Sequence, residues 1–515
     1  MENQKTKIIS IVAIVALALT VVTATYAYFQ AQTGKGSQTD IKINTNTVDT
    51  FTFETGSAMS LSLDQTSFAS GAGNKTGSTY ASAKLTANNK TNTATEHYYL
   101  YLKIENNTFT YSINESTPEI IMTVTDSGGN EVTDISTLNH VIVTGANGAQ
   151  VSGYDITNKN GLITLFNNRE ITTTSSKEEK WNIKVTFVNY DASQNVNAGK
   201  SMSAKMIIQK EKINLLADYV KSLYTGTQGG NNIYYHDSSL ANGAGDNSYR
   251  YAGANPNNYV CFGSDATPCP TENLYRIIGV IGNQVKLIKY DYATSALLGT
   301  DGDYYGRYYY GNSTYKGSNY ENIVSYYWNN STRKNTWSES ELNKTNLNVN
   351  YIAYLNSIDT KWANKISTTT WKVGGNTRAN IGSAIPATAY QNEIVNPVTT
   401  KTTDNATEYS AKIGLMYVSD YGFAAEPSAW TLTMNNYDNT TAISTNWMYM
   451  GLYDWTISRR AGDSDVAFLV LLDGDVGYGN VYGNYAFGVR PSFILESFIT
   501  YAGGSGTQSD PIIIG

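Results

Sequence analysis

Three histidines, His97, His140 and His236, stand far apart in 515 residues. Metal and acid–base centres built on histidine use sets at fixed spacing, and none is present. Each histidine therefore reads as a surface or packing residue. Carboxylates gather late in the chain: Asp420, Glu426, Asp454, Asp463, Asp465, Asp473 and Asp475. Two carboxyls facing across a cleft can act as acid and base. The spacing here sets no two of them opposite each other, so they read as solvated loop residues. Asp473-Gly474-Asp475-Val476-Gly477 has the alternating oxygens with which a calcium loop begins, but the closing bidentate Glu is missing at the expected spacing. It reads as a polar hairpin turn. The sequence shows no Ser-His-Asp triad, P-loop, dinucleotide fingerprint or zinc set. We assign no catalytic residue, no metal ligand and no cofactor, and expect a protein that is not an enzyme.

The stronger signal is tyrosine. The chain holds 41 Tyr and 43 Gly. Tyr is densest in the loops Asp303-Tyr304-Tyr305-Gly306-Arg307-Tyr308-Tyr309-Tyr310-Gly311-Asn312 and Gly477 to Tyr485. Tyr offers large contact area at small entropy cost, and Asn, Ser and Gly add adaptable hydrogen bonds, as in antibody paratopes. Aromatic faces with amides also suit sugars. The plainer alternative is that Tyr builds sheet surfaces throughout a Tyr-rich chain.

Compartment and partners follow from composition. Lys5 and Lys7 precede an apolar run from Ile8 to about Val22, then Thr23-Ala24-Thr25-Tyr26-Ala27. A charged start, an apolar run and small residues make a signal peptide. The alternative is an uncleaved anchor, since Ile8 to Ala27 is just long enough to span a bilayer. Both readings place the rest outside the membrane, extracellular or on the cell surface, with membrane contact only through the N-terminal segment. Cys261 and Cys269 are the only cysteines. In an exported chain so close a pair is expected to form a local disulfide, and the spacing is not that of a Cys-x-x-Cys redox pair. Net charge is −7, without a basic footprint for phosphates, which argues against nucleic acid.

The elements that must position these residues are mostly strands. Tyr98 to Ile104, Glu119 to Thr125, Trp181 to Val188 and Ala204 to Gln209 are β-prone or alternating. Asp126-Ser127-Gly128-Gly129-Asn130 is a turn. Together they predict a β-sandwich over 28–210. Ile213, Leu216, Val220 and Leu223 fall at helical spacing, which predicts a linker helix within 211–225. An aromatic-rich domain then fills 226–500 and a tail 501–515. Leu274 to Lys289 is a hairpin turning at Gly282-Asn283. Asn350 to Ile358 is a candidate helix. Val466 to Leu472 and Tyr485 to Leu495 are strands around the loop 473–480. The fold class expected is mainly β with minor α.

Two resemblances add to this. Ala24-Thr25-Tyr26-Ala27-Tyr28-Phe29, with Trp181 to Gln209, resembles exported camelysin and biofilm-matrix fibre proteins of Gram-positive bacteria. That implies a jelly-roll-like sandwich and possible self-assembly. Asp454-Trp455-Thr456-Ile457-Ser458-Arg459-Arg460, an apolar strand, a Gly/Asn hairpin, then Phe487-Gly488-Val489-Arg490-Pro491-Ser492, resembles the end of C-type-lectin-like domains. These include the formylglycine-generating-enzyme group and the variable proteins of diversity-generating retroelements. The resemblance implies an α+β domain in which Trp and Val-Arg-Pro are framework, Arg490 makes a buried contact, and the hairpin between them meets ligand. The chain departs from the enzyme pattern, whose active-site cysteines it lacks. It departs also from calcium-dependent lectins, since no Trp-Asn-Asp follows Glu426-Pro427-Ser428. The expected ligand face comprises Trp455, Ser458, Arg459, Arg460, Asp463, Asp465, Tyr478, Asn480, Tyr482, Asn484 and Tyr485, with a surface glycan or protein as partner. Trp430 and Trp447 are expected in the core. The function expected is adhesion or recognition at a cell surface. Its rivals are a structural matrix or fibre subunit and a cell-wall-directed enzyme.

Overall fold

In Trp181-Asn182-Ile183-Lys184-Val185 the three apolar side chains are buried while Asn182 and Lys184 are exposed. That is a strand with one dry and one wet face. Such strands dominate the computed structural model, which describes residues 49–68, 72–88, 92–190, 192–307, 323–397 and 406–515. The expected export signal 1–27 and the residues from Tyr308 to Asn312 lie outside the described residues. The chain is mainly β, 37% strand against 19% helix, and divides into two units, Met1–Ile213 and Asn214–Gly515.

The first unit contains β1 (Thr50–Thr55), β2 (Met59–Ser62), β3 (Lys75–Thr86), β4 (Ala94–Asn107), β5 (Ile120–Thr125), β6 (His140–Thr144), β7 (Gln150–Asp155), β8 (Gly161–Thr173), β9 (Ser176–Phe187) and β10 (Ser201–Gln209). They form two antiparallel sheets, ordered β1-β3-β9-β5-β7-β6 and β2-β10-β4-β8. Inward residues of both sheets, among them Leu85, Val124 and Ile183 from one and Leu100, Leu102 and Ala204 from the other, make one core. A polar chain joins the sheets through it. The Trp181 indole donates to the Tyr98 hydroxyl at 2.8 Å, and Tyr98 donates to Glu179 at 2.7 Å. Arg169 closes the set, pairing with Glu179 at 2.8 Å and lying over the Trp181 ring at 4.5 Å. Burial, with the Glu179 carboxylate beside it, pushes the Tyr98 hydroxyl well above its ordinary pKa.

The second unit begins earlier and ends later than the expected 226–500. Helix α1 (Leu216–Ser222) was expected as a linker, but Leu216, Ala217 and Val220 are buried in this unit's core. Its strands are β11 (Ile233–His236), β12 (Ser248–Tyr251), β13 (Tyr259–Cys261), β14 (Leu274–Ile281), β15 (Gln284–Lys289), β16 (Tyr304–Arg307), β17 (Val324–Tyr326), β18 (Thr369–Lys372), β19 (Glu408–Ala411), β20 (Ile413–Gly414), β21 (Asp454–Arg459), β22 (Val466–Val470), β23 (Val476–Asn480), β24 (Ser492–Ile494), β25 (Tyr501–Gly503) and β26 (Ile513–Ile514). The expected tail 501–515 is therefore structured: β25 pairs with β26, and Ile512 and Ile514 are buried.

The main sheet runs β11-β12-β14-β15-β24-β20, with β13 also on β14. Its hairpin β14–β15 turns at Gly282, whose φ of 61° favours glycine, and Asn283. Helices α2 (Tyr351–Ile358) and α3 (Val418–Ala424) lie within the same unit. The seven tryptophans of this unit, Trp328, Trp337, Trp362, Trp371, Trp430, Trp447 and Trp455, are all buried.

Cys261 and Cys269 are joined, eight residues apart. A loop so short contributes about 2–3 kcal/mol on a chain-entropy account. Replacing both cysteines by Ala is expected to lower the melting temperature of this unit by roughly 5 °C. A calorimetric trace unmoved by the replacement would show that the bridge constrains nothing.

Candidate functional site

The expected ligand face does not form as one surface. Strand β21 is buried on both sides, so the period-two alternation that would turn half of its residues outward fails. Trp455 is 0% exposed; its indole donates to the Tyr326 carbonyl at 2.9 Å and its ring packs on Phe487. Ser458 and Arg459 are each 2% exposed. These three are corrected from face to interior. Asp454, beside them, pairs with Arg490 at 2.6 Å, and Arg490 also donates to the Met448 carbonyl. Burial pushes the Asp454 carboxyl up to about 6, and Arg490 draws it back.

The remaining residues lie at the surface in two clusters. In β23, expected as loop, alternate residues point to opposite sides. Tyr478 stands opposite Phe468 and shares its side with Val476 and Asn480. The Arg460 guanidinium lies over the Tyr478 ring at 4.5 Å and pairs with Asp463 at 2.9 Å, without hydrogen-bond alignment. On the other side, a Cβ at Gly479 would meet the Tyr485 ring at 3.1 Å. There the Tyr482 hydroxyl reaches Asp465 at 3.4 Å, and Arg333 lies over the Tyr482 ring at 5.2 Å. Asn484 and Tyr485 are exposed.

A second tyrosine-dense stretch reaches this second side. Tyr326 and Phe487 exchange backbone hydrogen bonds at 2.9 and 3.0 Å, and Asn329 donates its N–H to the Val481 carbonyl at 2.9 Å. The run 326–329 is thereby laid along 481–487. Tyr327, edge-on to Tyr305 at 5.2 Å, lies on that run. Tyr305 and Tyr485 are each 44% exposed. Arg333 and Tyr327 were not among the expected site residues. The Tyr-dense loops carried the signal for this strip, but the pairing that brings them together is long-range.

The same unit holds a buried ionic cluster. Asp420 in α3 accepts from Lys286 at 2.5 Å, from the Tyr417 amide at 2.9 Å and from Arg250 at 3.4 Å. Arg250 also pairs with Asp246 at 2.8 Å. Burial works against Lys286's charge and holds its pKa below the ordinary lysine value, with Asp420 opposing. Next to this cluster Glu393 accepts from Ser458 Oγ at 2.6 Å, the Ser419 amide at 2.8 Å and Asn376 Nδ2 at 3.2 Å. Burial pushes its carboxyl up to about 7, with the Asp420 charge adding to the rise. Asn376 Oδ1 is buried with no hydrogen-bond partner. The Asn376 carbonyl accepts from the Ala461 amide at 2.6 Å, so the cluster anchors the start of the hairpin.

Arg459 lines a small recess with Asn335, Trp337, Ser338, Val373 and Tyr409. Arg459 Nε donates to the Val373 carbonyl at 3.1 Å, and burial pushes its guanidinium down to about 10, so it stays charged at neutral pH. Asn335 Nδ2 donates to the carbonyls of Arg460, Asp463 and Val466 at 3.0, 2.9 and 2.8 Å, fixing the loop that flanks the recess.

Among the described residues no group of three or more His, Cys, Asp or Glu is placed to hold a metal ion. Asp475, from the calcium-loop-like run, instead accepts the Asp438 amide at 2.8 Å. No helix of the described residues is long and apolar enough to cross a membrane.

No protein-family model matches the chain, and no curated protein matches it significantly.

Proposed function

We infer that this is an exported surface protein that recognises a ligand through its second unit without turning it over. In this reading the first unit is a jelly-roll-like β-sandwich that serves as carrier, and the second is a C-type-lectin-like domain. The observation that carries it is the backbone pairing of 326–329 with 481–487, which sets the segment bearing Tyr327, edge-on to Tyr305, beside the segment bearing Tyr482 and Tyr485. Exposed aromatic rings beside arginine and amide groups bind by area and stacking, and need no catalytic group. The ligand is a glycan or protein on a cell surface.

Tyr482→Ala and Tyr485→Ala are each expected to weaken binding of the full chain to intact cells or arrayed glycans about tenfold. Melting temperatures should stay within about 2 °C of the parent, because neither ring is buried in the core. Parental binding in both variants would remove the strip from the function.

One observation favours a second reading, a fibre subunit. Strand β6 ends the six-stranded sheet and carries Ile142, 65% exposed. An edge of that kind can pair with another chain. Filaments that grow with protein concentration, and vanish in Ile142→Lys, would favour assembly over display.

A further inference from the structure

The buried pair of Lys286 and Asp420 holds an amine and a carboxyl in contact and out of water. Lys286 Nζ lies 2.5 Å from Asp420 Oδ2, and both side chains are 2% exposed. Among the described residues Oδ2 is the one hydrogen-bond acceptor of Nζ. Ring faces flank it, Tyr417 at 4.3 Å and Trp371 at 5.4 Å. The two residues stand 134 apart in sequence, one in β15 and one in α3.

An ammonium with a carboxylate differs from an amide by one water. In solution the ions are favoured because both are hydrated, and in this site neither is. Contact replaces a chance encounter, and the dry surroundings keep away the water that would reverse the step. Burial holds the Lys286 pKa below its ordinary value, which brings the neutral, nucleophilic amine within reach. Glu393 is close enough to act on Lys286, but its carboxyl is pushed up to about 7 and adds no fixed charge to hold the ammonium. Arg250 keeps Asp246 at 2.8 Å, so loss of the Lys286 and Asp420 charges leaves no cation unpaired. The Tyr417 amide and Arg250 donate to the Asp420 oxygens at 2.9 and 3.4 Å, where negative charge builds up when the carboxyl carbon is attacked. The same donors hold Asp420 as a carboxylate and slow that attack. The ion pair is therefore the state of the newly folded chain, and the product forms from it on standing.

We propose that Lys286 and Asp420 condense to an isopeptide bond that ties β15 to α3. The Nζ–Cγ bond forms and one Cγ–O bond breaks. Two of the three ammonium protons leave with that oxygen as water, and the third stays on the amide nitrogen. The other oxygen becomes the amide carbonyl. No oxidant or cofactor enters. The bond closes the chain from 286 to 420 into a covalent loop, and unlike the ion pair it survives unfolding.

The test weighs the purified full chain by mass spectrometry, fresh and after days at neutral pH. The aged chain should be lighter by one water. Tryptic digestion should then yield a branched peptide in which Lys286 carries the peptide containing Asp420, with cleavage after Lys286 lost. On a denaturing gel the aged chain should run ahead of the fresh one. Lys286→Arg keeps the cation, but its guanidinium stays protonated and does not attack, so its mass should not change. If that variant folds poorly, Lys286→Met with Asp420→Leu supplies the unlinked control. Full mass and separate peptides in the aged parent would overturn the proposal. A lost water without the branched peptide, or one lost equally from Lys286→Arg, would overturn it too, because Asp473-Gly474 can also lose water by closing to a succinimide. A branched peptide that forms equally in chain kept in denaturant would do the same, since the fold would then play no part.

Discussion

Asp420→Ala is expected to destabilise the second unit by about 3–5 kcal/mol, the cost of stranding buried cations when one partner of a buried pair is removed. Lys286 and Asp420 are each 2% exposed along their side chains. Without the carboxylate, Lys286 must either hold an unpaired charge in a buried site or give up its proton, and Asp246 is the one carboxylate left to Arg250. The Tyr417 amide at the start of α3 loses its acceptor as well. In a unit of this size the loss corresponds to a melting temperature lowered by roughly 10 °C. The double variant Lys286→Met with Asp420→Leu should recover most of it, because an apolar pair of similar volume often replaces a buried ion pair at little net cost. Chemical denaturation of parent, single and double variants distinguishes the cases. A single variant within about 1 kcal/mol of the parent would show that water reaches Lys286 and solvates it.

The second large effect is on pH. Glu393 is buried and its carboxyl titrates near 7, above its ordinary value of 4.5. The folded state therefore binds its proton more tightly than the unfolded state. That contribution to stability is fully present below about 4.5 and is lost as pH rises through about 7. The loss is on the order of 3 kcal/mol. Asp454 and Asp303, each pushed up to about 6 by burial, act with the same sign; His236, held down to about 3 by burial, opposes them below its ordinary 6.5, and the three carboxyls together outweigh it, so the unit should be more stable at pH 5 than at pH 8. Glu393→Gln isolates the Glu393 share, because Gln matches Glu in size and cannot ionise. The variant should equal the parent within about 1 kcal/mol at pH 5 and exceed it by about 2–3 kcal/mol at pH 8. Equal pH dependence in the two proteins would show that Glu393 stays ionised in the fold.

Local pattern was readable from the chain, and long-range pairing was not. Trp181 to Val188 alternates, and β9 buries the alternate set because one of its faces meets water. Gly282-Asn283 marks a hairpin, and β14–β15 turns there because Gly282 takes a left-handed φ. Trp455, Ser458 and Arg459 were misplaced for a definite reason. Strand β21 has neighbours on both faces, and polar Ser458 and Arg459 are tolerated inside because Glu393 and the Val373 carbonyl receive them. The segment Tyr485 to Leu495 reads as one strand, yet regular pairing begins only at Ser492. Phe487 and Gly488 are spent on single bridges to Tyr326 and Asp454, which no local period encodes.

Strand β23 decides how freely this surface can change over generations. Tyr478, Tyr482, Asn484 and Tyr485 project at the surface or lie partly open, whereas Val476, Val481 and Phe487 on the same stretch are buried. Gly477 and Gly479 have no such latitude. A Cβ at Gly477 would press on the Leu471 side chain at 2.7 Å, and one at Gly479 would displace the Tyr485 ring. If this surface recognises a ligand as proposed, mutations at the outward positions alter specificity at little cost to folding, while a side chain at either glycine must first shift Leu471 or Tyr485. The hairpin would then separate positions open to change from those held in place by packing.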